Sequence, residues 1–162
     1  MEPILQELSI TLPDPRELAR VVLRLLAALA VGTLIGYERE KMGKAAGLRT
    51  HMLVSMGTAL FVIAAIEAEM DQDAVSRIIQ GIVTGVGFLG AGVIMKNTES
   101  GQIRGLTTAA GVWMTAAASV AIGLGEIGLG LLAGGLAWVV LAIMHRFEPE
   151  PRPDIGQDDD PP

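Results

Sequence analysis

Long apolar runs separated by short polar segments organise this chain. Five such runs, each of 18 to 20 residues, occupy a stretch that contains no proline. At about 1.5 Å per residue, a helix of this length crosses a hydrocarbon core about 30 Å thick. The pattern therefore predicts an all-α, polytopic transmembrane bundle of about five helices. The predicted spans are Leu18–Tyr37, Leu48–Ile66, Ile78–Met95, Leu106–Leu124 and Ile127–Met144.

The two ends of the chain differ in composition from this apolar body. All eight prolines lie at or before Pro15 or at or after Pro149, and the last segment is rich in aspartate. Such a segment has too few apolar groups to bury and is expected to be disordered. We therefore predict an extracytoplasmic leader at 1–17, a transmembrane domain at 18–146 and a disordered cytosolic tail at 147–162.

The distribution of positive charge predicts the orientation in the membrane. Short cytoplasmic loops of membrane proteins carry an excess of lysine and arginine. With the N-terminus outside and the C-terminus in the cytoplasm, eight of these residues fall inside and four outside. The chain is thus predicted to be a multi-pass protein of the plasma (inner) membrane. The inner residues are Arg39, Lys41, Lys44, Arg49, Lys96, Arg104, Arg146 and Arg152.

Composition supports the membrane interpretation and removes several functional classes. Hydrophobic residues make up 51% of the chain and the mean hydropathy is +0.48, so the lipid bilayer is the first expected partner. The body has no basic stripe for nucleic acid, and the formal charge is −6. It contains no cysteine, no paired carboxylates and no serine with a neighbouring histidine and acid. We predict neither an enzyme nor a bound cofactor or metal.

The third apolar run is rich in glycine. Its GVGFLG segment fits the dinucleotide-binding pattern GxGxxG, but that pattern requires a preceding strand, which an apolar helix does not supply. Small residues at GxxxG spacing instead let membrane helices approach closely. We assign these glycines to helix packing, and such a face would also suit a homodimer. They are Gly81, Gly85, Gly87, Gly90 and Gly92.

A repeat relates the first two helices to the next two. Shifting the sequence by 58 residues gives eight ungapped identities, including Gly47 with Gly105 and Leu48 with Leu106. Internal duplication is common in membrane transporters. Two interpretations remain open: a duplication of helices 1–2 into helices 3–4, or a shared bias toward glycine and alanine.

The two predicted inner loops end in the same pattern, GxxxGL[RT]T. Here Arg49, Thr50, Arg104, Thr107 and Thr108 lie beside two helix starts. Threonine can cap a helix, and a cation next to a helix N-terminus favours an anion. The set is therefore a candidate binding site for a partner, a lipid or an anion. The simpler alternative is that the arginines hold the helix ends at the headgroups.

Charged residues also flank the loop between the first two spans. Glu38 and Arg39 end the first span, and Arg49 and His51 begin the second about ten residues later. A loop this short places the four side chains near one another. They form either a structural ion-pair cluster or a ligand or proton site, because ionisable residues at membrane depth are often functional.

These segments together resemble the MgtC/SapB family. The resemblance runs through AVGTLIGYEREKMGKAAGLRTHMLVSMGTALF, RIIQGIVTGVGFLGAGVIMK and RGLTTAAGVWMTAAASVAIGLG, which cover most of the body. It implies a five-helix inner-membrane protein with its N-terminus outside. Family members are associated with growth in scarce magnesium and survival inside host cells, and the best-known one binds and restrains ATP synthase. The motif positions that match are Glu38, Arg39, Arg49, Thr50, His51 and Arg104.

Two departures from the family pattern limit what the resemblance implies. Virulence-type members carry a soluble C-terminal domain, which we do not expect here, and have Asn and Cys where this chain has Thr107 and Met114. The resemblance thus favours a regulatory or interaction protein, with ATP synthase as the partner it implies. The alternative is a magnesium or other cation transporter or channel.

Overall fold

A computed structural model describes residues 14–96 and 103–144, which form five helices and one short hairpin. The two strands pair antiparallel, with Met95 opposite Arg104 and Lys96 opposite Ile103. The predicted all-α bundle is confirmed, and the hairpin is a small addition to it. The elements are α1 (Pro15–Lys41), α2 (Leu48–Glu67), α3 (Gln72–Gly92), β1 (Met95–Lys96), β2 (Ile103–Arg104), α4 (Leu106–Leu124) and α5 (Ile127–Met144).

The predicted bounds are accurate for α2, α4 and α5 and wrong for α3. That helix begins six residues earlier than predicted, because the Asp71 carboxylate accepts a hydrogen bond from the backbone N–H of Ala74 at 2.7 Å and so caps it. It ends at Gly92, three residues early, where the chain turns into β1. Helix α1 begins at Pro15, three residues before the predicted start of the first span, and the division into leader, transmembrane domain and tail stays a prediction. Residues 1–13 and the predicted tail lie outside the described residues.

Length and composition make four of the helices candidates for membrane spans. These are α1 to α4, while the apolar part of α5, Ile127–Ile143, is shorter. Large apolar side chains on every one of these helices are exposed, among them Leu23, Leu53, Phe88 and Leu132. Such surfaces are stable in lipid hydrocarbon and unfavourable in water. The chain is therefore a multi-pass membrane protein.

The core lies between α1, α2, α4 and α5. Val31 and Ile35 from α1 pack with Ile63 from α2, Ile122 from α4 and Leu141 from α5. The helix pair α1 and α2 is held close by two glycines of α1. A Cβ at Gly32 would lie 2.6 Å from the carbonyl oxygen of His51, and a Cβ at Gly36 would lie 2.8 Å from Cα of Leu48. Backbone therefore touches backbone at the centre of the bundle.

Arg24 joins the start of α1 to the end of α4. Its Nη1 donates a hydrogen bond to the carbonyl oxygen of Gly123 at 3.2 Å. The last carbonyls of a helix have no partner within the helix and carry a partial negative charge. Arg24 thus stabilises the α4–α5 turn, where Gly125 adopts a φ of +101°.

Replacing Arg24 by methionine is expected to destabilise the bundle by about 1–2 kcal/mol, because the carbonyl of Gly123 loses a charged donor. The measurement is thermal unfolding of the purified protein in detergent. Arg20→Met, on the exposed face one turn earlier, is the matched control. Equal unfolding temperatures for the two variants would contradict the capping role.

The structure places the two halves of the 58-residue repeat in different surroundings. Leu48 and Leu106 begin α2 and α4, and a glycine caps each helix start. Gly47, however, has a φ of −100° and Gly105 a φ of +95°. Thr50 is exposed whereas its counterpart Thr108 is buried. Duplication remains a prediction, and the two helix starts are not interchangeable in the fold.

Candidate functional site

Four buried polar side chains extend from the end of the bundle where α1 finishes and α2 and α4 begin to the middle of α4. Arg39 is 2% exposed, His51 0%, Thr108 3% and Thr115 0%. We call this set the buried polar layer. Burial of a polar group without a hydrogen bond costs several kcal/mol, so the partners of these groups decide whether the layer is stable.

Arg39 connects the end of α1 to the start of α4. Its Nη2 donates to Oγ1 of Thr108 at 3.3 Å, across a sequence separation of 69 residues. The side chain reaches this position because Arg39 continues the buried face of α1 that contains Ile35 and Gly36. The contact fixes the direction in which α4 leaves the hairpin.

His51 connects α2 to α4 in the same layer. The hydroxyl of Thr115 donates its one proton to the carbonyl oxygen of Gly111 at 2.9 Å. The same oxygen lies 2.8 Å from Nδ1 of His51, so it must accept a hydrogen bond from Nδ1–H there. A neutral His51 therefore carries its proton on Nδ1 and a lone pair on Nε2. The ring itself packs against Gly111, where a Cβ would meet Cε1 at 3.7 Å.

The remaining predicted site residues lie outside this layer. Arg49, Thr50, Arg104 and Thr107 are exposed at the same end of the bundle, and Glu38 is half-buried. We call the four exposed residues the arginine surface. The structure thus divides the predicted set into a buried part, formed by Arg39, His51 and Thr108, and an exposed part that a partner could reach.

The expected threonine caps are absent at both helix starts. The capping residues are Gly47 and Gly105, and neither α2 nor α4 has a side-chain hydroxyl in the capping position. Instead, Oε2 of Glu40 accepts a hydrogen bond from the backbone N–H of Leu48 at 2.7 Å. The α2 N-terminus is therefore already bound to a carboxylate from α1, which reduces its capacity to bind a separate anion.

Most of the α3 glycines have no other helix of this chain packed against them among the described residues, so their assignment to helix packing stays a prediction. Only Gly90 has a close neighbour, with Cβ of Ala109 3.5 Å from where its own Cβ would lie. Added Cβ atoms at the other four would meet nothing within 4 Å among the described residues. The open positions are Gly81, Gly85, Gly87 and Gly92. The helix carries them on surfaces that α2 and α4 leave uncovered.

Sequence reasoning missed Glu40 and Thr115. A signal for Thr115 was available, because Thr108, Thr115 and Ser119 recur at spacings of seven and four and so share one face of a helix. Ser119 is also buried, and its hydroxyl donates to the carbonyl oxygen of Thr115 at 2.8 Å. For Glu40 there was no comparable signal, since four acidic or basic residues surround it in sequence.

Comparison with known proteins identifies relatives of similar sequence. Over 136 residues the chain is 46% identical to Protein SrpB of Synechococcus elongatus, covering 77% of this chain and 75% of SrpB. It is 44% identical over 137 residues to "Putative magnesium transporter YhiD" of Escherichia coli, covering 80% of this chain and 62% of YhiD. It is 47% identical over 105 residues to Protein MgtC of Salmonella typhimurium, covering 65% of this chain and 44% of MgtC.

The chain therefore spans less than two thirds of YhiD and less than half of MgtC. No solved structure matches it. The profile of the MgtC family matches residues 25–149, which include the buried polar layer, the arginine surface and all of α2 to α5. The chain belongs to the MgtC family.

Proposed function

We propose that this chain is a non-catalytic regulatory or interaction protein whose arginine surface contacts a protein partner at the membrane. The proposal rests on the division of the candidate site into a buried, hydrogen-bonded part and an exposed, positively charged part. Arg39–Thr108 and His51–Thr115 hydrogen bonds hold α1, α2 and α4 together, while Arg49 and Arg104 stay exposed at the same end. Fixed cations on a rigid support suit recognition of an acidic surface.

Family membership supports a link to magnesium limitation for this function. With the N-terminus outside and the C-terminus in the cytoplasm, the arginine surface faces the cytosol. There it can reach the cytosolic side of a larger membrane complex, and the resemblance to the best-known family member suggests ATP synthase as that complex. A homodimer through α3 at the uncovered Gly87 and Gly92 is compatible with this arrangement.

Capture from native membranes tests the proposal. The tagged protein is expected to retain a partner, and Arg49→Ala with Arg104→Ala is expected to lower retention about tenfold, since two charged contacts are lost. Arg16→Ala with Arg20→Ala is the matched control, because both arginines are exposed at the opposite end of α1. Equal retention by the two double variants would contradict the proposal.

A cation transporter is the second candidate, because the relative YhiD carries the name "Putative magnesium transporter". Magnesium is bound through carboxylates and retained waters. The buried charge in the layer is instead Arg39, which repels a cation. Magnesium influx into proteoliposomes that Glu38→Gln abolishes, with Glu17→Gln as the control, would support transport and refute the regulatory proposal. We expect no influx above that of empty liposomes.

A further inference from the structure

An apolar groove of about 630 Å³ runs between α2 and α3. Eleven residues line it, and Thr58 is the only polar one. The rim is formed by large exposed side chains, with Leu53 72% and Phe61 64% exposed. The groove therefore opens sideways, toward the hydrocarbon of the bilayer in a membrane-spanning bundle.

Three glycines create the groove. Gly57 on α2 and Gly81 and Gly85 on α3 all line it, and an added Cβ at any of them would meet nothing within 4 Å. In helices that pack tightly, such glycines bring the backbones together. Here they leave space, so the groove depends on the absence of three side chains.

The shape of the groove matches a linear hydrocarbon chain. On α3 its lining extends from Ile78 to Leu89, a segment about 16 Å long along the helix. An acyl chain can lie in the groove along its full length.

A positive charge stands at one end of the groove. Arg49 lies one turn before Leu53 on α2, so the two share a helix face, and Arg49 is exposed. Its Cβ points toward the helix N-terminus and hence toward the headgroups, where a guanidinium binds phosphate through two hydrogen bonds. The backbone N–H of Leu48 already donates a hydrogen bond to Glu40. We therefore assign the phosphate to the Arg49 side chain and not to the amides at the helix start.

We propose that the α2–α3 groove binds one acyl chain of an anionic phospholipid whose phosphate contacts Arg49. The lipid belongs to the leaflet on the side where α2 begins. This inference shares Arg49 with the proposed partner surface but does not depend on a protein partner. Its test uses purified protein in liposomes, so that its failure is distinguishable from failure of the regulatory proposal.

The experiment uses phosphatidylglycerol with a diazirine on one acyl chain, and phosphatidylcholine with the same chain as the comparison. After illumination, labelled peptides are mapped by mass spectrometry. We expect labelling to concentrate on the groove-lining segments of α2 and α3. Gly85→Leu fills the groove and should lower this labelling about fivefold. Gly128→Leu, which also adds a side chain to an open glycine but on α5, should leave it unchanged.

A separate substitution tests the contact between the lipid phosphate and Arg49. Arg49→Gln should abolish the preference for phosphatidylglycerol, which we expect to be about fivefold in the unaltered protein. Labelling spread evenly around the bundle, or unaffected by Gly85→Leu, would overturn the groove as a lipid site. Equal labelling by both lipids would overturn the phosphate contact. No lipid labelling in the groove, together with elution of the purified protein as a dimer in size-exclusion chromatography, would show that a second copy covers the groove instead.

Discussion

Replacing Gly32 by leucine is expected to prevent formation of the folded bundle. The new Cβ would lie 2.6 Å from the carbonyl oxygen of His51 and would also meet Oγ of Ser55. A serine side chain can rotate, but the backbone of α2 cannot yield without separating the two helices. Overpacking at such a contact costs about 3 kcal/mol or more, a large part of the stability of a small domain.

The measurement for Gly32→Leu is the yield of monodisperse protein in size-exclusion chromatography, followed by thermal unfolding in detergent. Gly128→Leu is the matched control, because a Cβ there would meet nothing within 4 Å. The control should resemble the unaltered protein. If Gly32→Leu were equally monodisperse and unfolded at the same temperature, the close contact between α1 and α2 would be wrong.

The second large effect is expected at Thr108. Thr108→Val preserves the shape of the side chain but removes the acceptor of the Arg39 Nη2 hydrogen bond. Loss of a partner for a buried charged donor costs about 1–3 kcal/mol. The neighbouring Thr107 is exposed, so Thr107→Val should change stability by less than about 0.5 kcal/mol.

A double-mutant cycle separates this contact from other effects of the substitution. Once Arg39→Leu has removed the charge, Thr108→Val should cost little, and the two changes should be strongly non-additive. Chemical or thermal unfolding of the four proteins supplies the cycle. Additive costs would contradict the Arg39–Thr108 hydrogen bond as the tie between α1 and α4.

Hydropathy predicted the first residue of a helix correctly where a glycine in a turn directly precedes the apolar run. Leu48 and Leu106 begin α2 and α4 as expected, each after a glycine. The bounds of α3 were not predictable in this way. The apolar run continues through Ile94 and Met95 although the helix has ended, because hydropathy does not distinguish a helix from the apolar start of a hairpin.

The sequence predicted the candidate site residues but not how they divide between the interior and the surface of the bundle. Arg39 and Arg49 are the same residue type at similar distances from the loop, yet one is buried and the other exposed. Helical phase separates them, since Arg39 follows Gly32 and Ile35 at spacings of seven and four on the buried face of α1. The contact with Thr108 joins residues 69 positions apart, and local pattern carries no information on such a pairing.

The glycines of α3 show a different limit. GxxxG spacing indicates that another group can approach the helix closely, but it does not identify that group. In this chain Gly81 and Gly85 line an open groove, and only Gly90 is packed against Ala109. The same pattern is therefore consistent with a helix, a second copy or a lipid, and the shape and charge of the surroundings decide among them.

Site-specific photo-crosslinking in native membranes tests most directly whether the arginine surface contacts a protein partner. A photoreactive phenylalanine analogue is introduced at Thr107, and at Gln72, which is exposed at the opposite end of the bundle. We expect a discrete protein adduct from Thr107, in a yield that Arg49→Ala with Arg104→Ala reduces. An adduct of equal or greater yield from Gln72, or one from Thr107 that the double variant leaves unchanged, would contradict this role of the arginine surface.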